Sequence, residues 1–176
     1  MQQIGGKGSG VQQQMHWQAA DALESGALRE LEKAWGHWAP SGRLPSRALF
    51  DPMDFPSLLP WMLLGEILDE PNAARPYDVF YRYIGREFER YFDSTSLNRA
   101  RLNRARLSGV GAPYVERWFT VYDAVIAAKG PRYFIGAPLG TGYEYIPLEM
   151  LVLPFAKPDS PEIGFVLCSF SKRDGF

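Results

Sequence analysis

Residues 42–68 read GRLPSRALFDPMDFPSLLPWMLLGEIL, with prolines at 45, 52, 56 and 60 ahead of a run that is almost wholly apolar. Proline fixes φ and biases the residue before it away from the helical region, so Leu44, Asp51, Phe55 and Leu59 are expected in extended conformations. The stretch is too apolar for a linker. Flexible linkers are rich in Gly and Ser, whereas Leu49, Phe50, Met53, Phe55, Leu58 and Leu59 all carry surface that gains from burial. It therefore reads as a stiff lead-in to a buried strand, WMLLGEIL, which the turn residues Asp69, Glu70, Pro71 and Asn72 close.

Downstream, YDVFYRYIG is rich in aromatic residues and reads as a second strand, stopped by Gly85. REFERYF follows as a short helix with Phe88, Tyr91 and Phe92 on one side. LNRARLNRARL, residues 97–107, is a tandem five-residue repeat whose period fits neither helix nor strand. The strongest helical pattern comes next: Val115, Trp118, Phe119, Tyr122, Val125 and Ile126 share one face until Gly130-Pro131 ends it. Three strands are expected in the remainder, from RYFIGAPLG, YEYIPLEMLVLPFA and IGFVLCSFSKR. Upstream, a helix is expected from Asp21, with Glu24 as a weak capping box and Leu28, Leu31, Trp35 and Trp38 on one face. Pro40, Ser41 and Gly42 end it. The predicted divisions are a disordered tail over residues 1–16, an N-terminal helix over 17–41 and a folded domain over 42–176. That domain is α+β, a five-stranded antiparallel sheet with helices on one face, plus the N-terminal helix.

The totals bound the function. A chain of 176 residues with 46% hydrophobic and 22% charged content supports one domain with a real core and an extension. Its net charge of −1 gives no global field for nucleic acid or an acidic membrane. The single cysteine, Cys168, excludes an internal disulfide and a cysteine-based zinc site, and fits a reducing compartment. The opening MQQIGGKGSGVQQQ has no apolar core of a signal peptide, and no run approaches the roughly 18 apolar residues of a membrane span. A cytoplasmic location is expected.

The chain resembles a family of bacterial PAS-like domains formerly classed as a domain of unknown function. GRLPSRALFDPMDFPSLLPWMLLGEI carries the resemblance, with FYRYIG before a short helix, YDAVIAAKGPRY, and YIPLEMLVLPFA; together they span residues 42–170. The resemblance implies a PAS-type fold, a sensor or interaction domain with a small cavity between sheet and helices. The stiff segment would then wrap the sheet and deliver the chain into its first strand. The arginine repeat departs from the family's pattern. Haem-binding PAS domains present a histidine from the cavity helix, and YVERWFTVYDAVIAA has none. Flavin photosensors place a reactive cysteine in an Asn-Cys-Arg motif on a middle helix, whereas Cys168 lies in the last strand. No cofactor is expected.

No catalytic set emerges. His16 and His37 both precede the core, so a Ser-His-Asp or Cys-His arrangement within it is ruled out. Glu144 and Glu149 fall on opposite faces of a strand, and these two, like Asp123 and Glu116, are expected at the solvated surface. No group of His, Cys, Asp and Glu has metal-ligand spacing. Cys168 reads as a small buried hydrophobe. The candidate ligand-binding residues are Trp118, Phe119, Tyr122, Tyr133, Tyr143 and Tyr145, with Arg82 as a polar anchor; the tyrosines and Arg82 could hold an apolar ligand's polar group. Ordinary core packing, or for Arg82 the exposed sheet face, is the alternative. Arg99, Arg101, Arg104 and Arg106 form no single helical face and are expected in a solvated loop without nucleic acid. The function expected is a sensory or protein-interaction module in signalling, with Leu28, Leu31, Trp35 and Trp38 packing on the domain itself or docking a partner or a second copy. A small isomerase- or hydratase-like enzyme with an enclosed acid, and a ligand-free scaffold, are the competing classes.

Overall fold

The computed structural model describes residues 17–92, 106–110, 114–138 and 142–174. Its centre is an open antiparallel sheet of six strands: β1 (Gln18–Ala20), β2 (Met62–Asp69), β3 (Tyr77–Ile84), β4 (Arg132–Gly136), β5 (Leu148–Ala156) and β6 (Ile163–Lys172). Spatial order is β1-β4-β5-β6-β2-β3, so the last two strands of the chain lie in the middle. The helices are α1 (Gly26–Trp38), α2 (Arg86–Phe92) and α3 (Tyr114–Ala128). The α+β class is as expected, and the sheet gains one strand over the predicted five.

The added strand is β1. Gln18 pairs with Ile135 and Ala20 with Tyr133, so these residues take an edge position that a helix had been expected to fill. The helix begins later, where Ser25 caps it by accepting from the Leu28 amide. The Asp21 start is thereby corrected. The predicted strand through Tyr143 and Tyr145 is also shortened: Ile146 bonds back to the Tyr143 carbonyl in a turn, and β5 opens at Leu148. The tail over residues 1–16 and most of the arginine repeat, residues 97–105, lie outside the described residues.

Both faces of the sheet are covered. On one, α2 and α3 pack over Leu63, Val79, Met150, Val152, Val166, Cys168 and Phe170. On the other, Leu28, Leu31 and Trp35 of α1 meet Met62, Leu64, Leu151, Leu153, Phe155 and Leu167. The proline-rich stretch lies on this second face and buries Phe50 and Leu58 there. It is pinned to the sheet where the Ala156 amide donates to the Pro45 carbonyl at 2.9 Å. Its delivery of the chain into β2 depends on Gly85, since a Cβ there would fall 2.2 Å from the Pro60 carbonyl oxygen.

The stripe on α1 is therefore spent within the chain. Leu28 and Leu31 have no exposed surface, and the Trp35 indole donates to the Pro154 carbonyl at 2.8 Å. Of the placements expected for Leu28, Leu31, Trp35 and the half-buried Trp38, packing on the chain's own domain is the one observed, and the stripe is not a free surface for a partner or second copy. Glu149, expected in solvent, locks the helix entry. It is 2% exposed, and its carboxylate accepts from the Glu24 and Ser25 amides at 2.8 and 2.5 Å.

Leu28→Ala should lower unfolding stability by about 2–5 kcal/mol, as for a buried leucine, and Glu149→Gln by about 1–3 kcal/mol through loss of a charged acceptor. Denaturant titration should give midpoints independent of protein concentration for both variants. A midpoint that rises with concentration would show that α1 packs between copies instead.

Candidate functional site

Helix α3 forms because an apolar stripe repeats at helical spacing, and that stripe lays Trp118, Val121, Tyr122 and Val125 onto the sheet. The layer beneath its first half is aromatic. Trp17, Phe88, Phe92, Trp118 and Phe170 pack with ring centroids between 4.5 and 6.2 Å apart, mostly tilted or edge-on. Trp17, just ahead of β1, reaches this cluster from the sheet edge.

The expected ligand residues separate. Trp118 and Tyr122 do lie between α3 and the sheet. Phe119 points towards the β2–β3 end, edge-on to Tyr77 and beneath Arg75 at 4.0 Å. Tyr133 is on the opposite face, where its hydroxyl donates to Glu32 of α1. Strand parity sends it there, since its neighbour Phe134 takes the α3 side. Tyr143 sits edge-on to Tyr91 of α2 at 4.8 Å, beyond the sheet. Tyr145 is 77% exposed. Arg82 is an exposed residue at a β-bulge, skipped between the pairs Leu64↔Tyr83 and Gly65↔Tyr81, and it pairs with Glu66. Tyr133, Tyr143, Tyr145 and Arg82 therefore do not share a site with Trp118 and Tyr122.

Two groups of buried polar atoms remain under α3. At the sheet centre, Tyr122 is fully buried and its hydroxyl lies near the Tyr81 hydroxyl and the Cys168 thiol without meeting either in hydrogen-bond geometry. Gly65 opposes it: a Cβ there would meet the Tyr122 oxygen at 3.4 Å and Val79 at 2.5 Å. Burial pushes the Cys168 thiol up to about 12, as suits an inert core cysteine. At the sheet edge lies Arg117, which is 3% exposed. Its Nη2 donates to the Ala137 carbonyl at 2.7 Å, its guanidinium carbon stands 4.3 Å from the Trp17 ring centre, and its Nε has no acceptor. Trp17 Nε1 is also buried without an acceptor. Among the described residues no carboxylate pairs with Arg117. Burial pushes Arg117 down to about 10, which leaves it cationic at neutral pH.

Arg117 was absent from the expected site, although its signal is in the sequence. It precedes Trp118 and lies one turn before Val121, inside the buried stripe of α3.

The clefts formed by described residues include three at the margins of this layer. One, of about 800 Å³, is lined by Arg75, Asp78, Arg106, Ser108, Glu116 and Phe119 among others. Asp78 is buried there, but both its oxygens are occupied: the Val79 and Ser108 amides donate to one and the Ser108 hydroxyl to the other. It anchors the 106–110 segment to β3. Arg75 is held by Glu116 and Asp123, and Tyr77 donates to Asp123 at 2.6 Å. Asp123 is thus engaged rather than merely solvated. Two smaller clefts, of about 560 and 350 Å³, share Lys129 and Pro161. Compared with protein-family models, curated proteins and solved structures, the chain gives no significant match.

The buried acids Tyr81, Tyr122 and Cys168, and the partly buried Tyr133, all titrate above their ordinary values, chiefly through burial. A raised folded pKa means that the folded state holds its proton while the unfolded chain loses it, so stability falls as pH rises. The window runs from the ordinary thiol value of 9.0 to about 12. Arg117, shifted downwards, works against this trend. Stability by denaturant titration should decline steadily from about pH 9, and Tyr81→Phe should flatten the decline. A stability that rises between pH 9 and 11 would contradict this account.

Proposed function

We propose that the chain is a PAS-like sensory and protein-interaction module acting in signalling or regulation, not an enzyme, and that it holds a small apolar or aromatic ligand between α3 and the sheet. The strand order β4-β5-β6-β2-β3, with α2 and α3 inserted between β3 and β4 on one face, is compatible with a PAS-like fold. The motif resemblance over residues 42–170 points the same way. The observation that carries the proposal is the fully buried Tyr122 hydroxyl, which has the Tyr81 hydroxyl and the Cys168 thiol nearby but meets neither in good hydrogen-bond geometry, and which faces a glycine on the sheet. Leaving a buried hydroxyl unpaired costs about 1–3 kcal/mol, and a ligand's polar atom would remove that cost. The buried carboxylate Asp78 does not favour the enzyme alternative, because its oxygens already serve the backbone and Ser108.

Native mass spectrometry of the protein as purified should show a retained small molecule, and Tyr122→Phe should weaken its retention by about 0.5–1.5 kcal/mol while the fold persists. If no molecule is retained and Tyr122→Phe is as stable as the parent or more so, the interior is ordinary core and the sensory proposal fails.

A further inference from the structure

Arg117 and Trp17 form a second polar site, at the edge of the helix–sheet layer rather than at its centre. Three features make it unusual. An arginine that is 3% exposed is paired with no carboxylate among the described residues, and among them its guanidinium donates only to the Ala137 carbonyl. Two buried N–H groups, Arg117 Nε and Trp17 Nε1, lack acceptors, and they belong to one stacked pair. The stack itself depends on a missing side chain: a Cβ on Gly136 would lie 2.6 Å from the Trp17 ring and 3.1 Å from Arg117 Nη2. Arginine suits such a place, being weakly hydrated and able to stack on an indole. Stacking does not replace an anion, however, and an uncompensated buried charge is strongly destabilising.

We propose that Arg117 Nε and Trp17 Nε1 bind the carboxylate of a small aromatic acid at the edge of the helix–sheet layer. The inference rests on the sensory proposal and adds to it a second polar site, distinct from Tyr122, at the edge of the same layer. One carboxylate supplies two acceptor oxygens for the two free donors and one negative charge for the one uncompensated cation. Phosphate fits less well: it brings up to two charges and more oxygens than these donors satisfy, into a wall of aromatic rings that offers no further partner. A neutral amide of the same shape offers one acceptor and no charge, so it should bind far more weakly.

Benzoate is the probe, titrated into the full chain beside benzamide, phosphate and chloride, with thermal unfolding and the tryptophan indole N–H resonances as readouts. Benzoate should raise the melting temperature and shift one of the five indole resonances, the one absent from Trp17→Phe. Benzamide, phosphate and chloride should do neither. Trp17→Phe, which keeps the ring and loses the donor, should weaken benzoate about five- to tenfold, and Arg117→Met about 10- to 100-fold. Without benzoate, Arg117→Met should melt no lower than the parent, because it removes an unpaired charge. If benzoate neither stabilises the parent nor moves that resonance, or if phosphate does so equally, the carboxylate site is overturned. A retained neutral ligand in the native mass spectrum, with benzoate silent, would overturn the anion site and leave the sensory function standing; no retained ligand would remove that function first.

Discussion

Strand β5 is buried along both faces over nearly its whole length, from Leu148 to Phe155, and that constraint organises the molecule. A strand in this position needs cover on two sides, and the two helices inserted between β3 and β4 supply only one. Helix α3 and α2 cover Met150 and Val152; Leu151, Leu153 and Phe155 point the other way. Without α1 and the proline-rich stretch, those three would face water, at roughly 1.5–3 kcal/mol each. The N-terminal part is thus a second layer of the core rather than an attachment to it.

The stiffness of residues 42–61 follows from that position. A covering segment without regular hydrogen bonds has to satisfy its backbone locally, and it does so in short turns: Ser46 accepts from the Ala48 amide, Asp51 from the Met53 amide, and the Trp61 amide donates to Leu58. Prolines reduce the number of donors to be satisfied and the freedom lost on ordering. Phe50 stacks with Phe55 and approaches Trp38 and Phe155, so the turns also aim aromatic rings at the second core.

Elements whose signal is local were legible in the sequence. Helix α2 matches REFERYF, β3 matches YDVFYRYI, and α3 stops at the expected Gly130-Pro131, with Lys129 in a left-handed conformation at φ 51°. Elements whose signal is tertiary were not. Gln-Ala-Ala has no strand preference of its own, and β1 exists because β4 offers it an edge. The burial of Glu149 depends on where α1 starts, more than a hundred residues earlier. The site divides in the same way. The spacing of α3 placed Trp118 and Tyr122 correctly, but the face on which a strand tyrosine ends up depends on which helix covers that face. Tyr133 illustrates this: alternation sets it opposite Phe134, and only the packing of α3 over Phe134 sends it to α1.

Two buried polar side chains, Glu149 on the α1 face of the sheet and Arg117 on the α3 face, show how differently the fold treats such groups. Glu149 receives two backbone amides at the start of α1, where the helix dipole also favours a negative group. It is a structural charge, and its cost is offset where it sits. Arg117 receives one carbonyl and one aromatic face, and its Nε is left without a partner. If the fold needed only volume beside Trp17, a methionine or leucine would fill it without a desolvation cost. A long cationic side chain at that position, stacked through a glycine gap and holding an unused donor, is therefore better explained by what it can bind than by what it packs against.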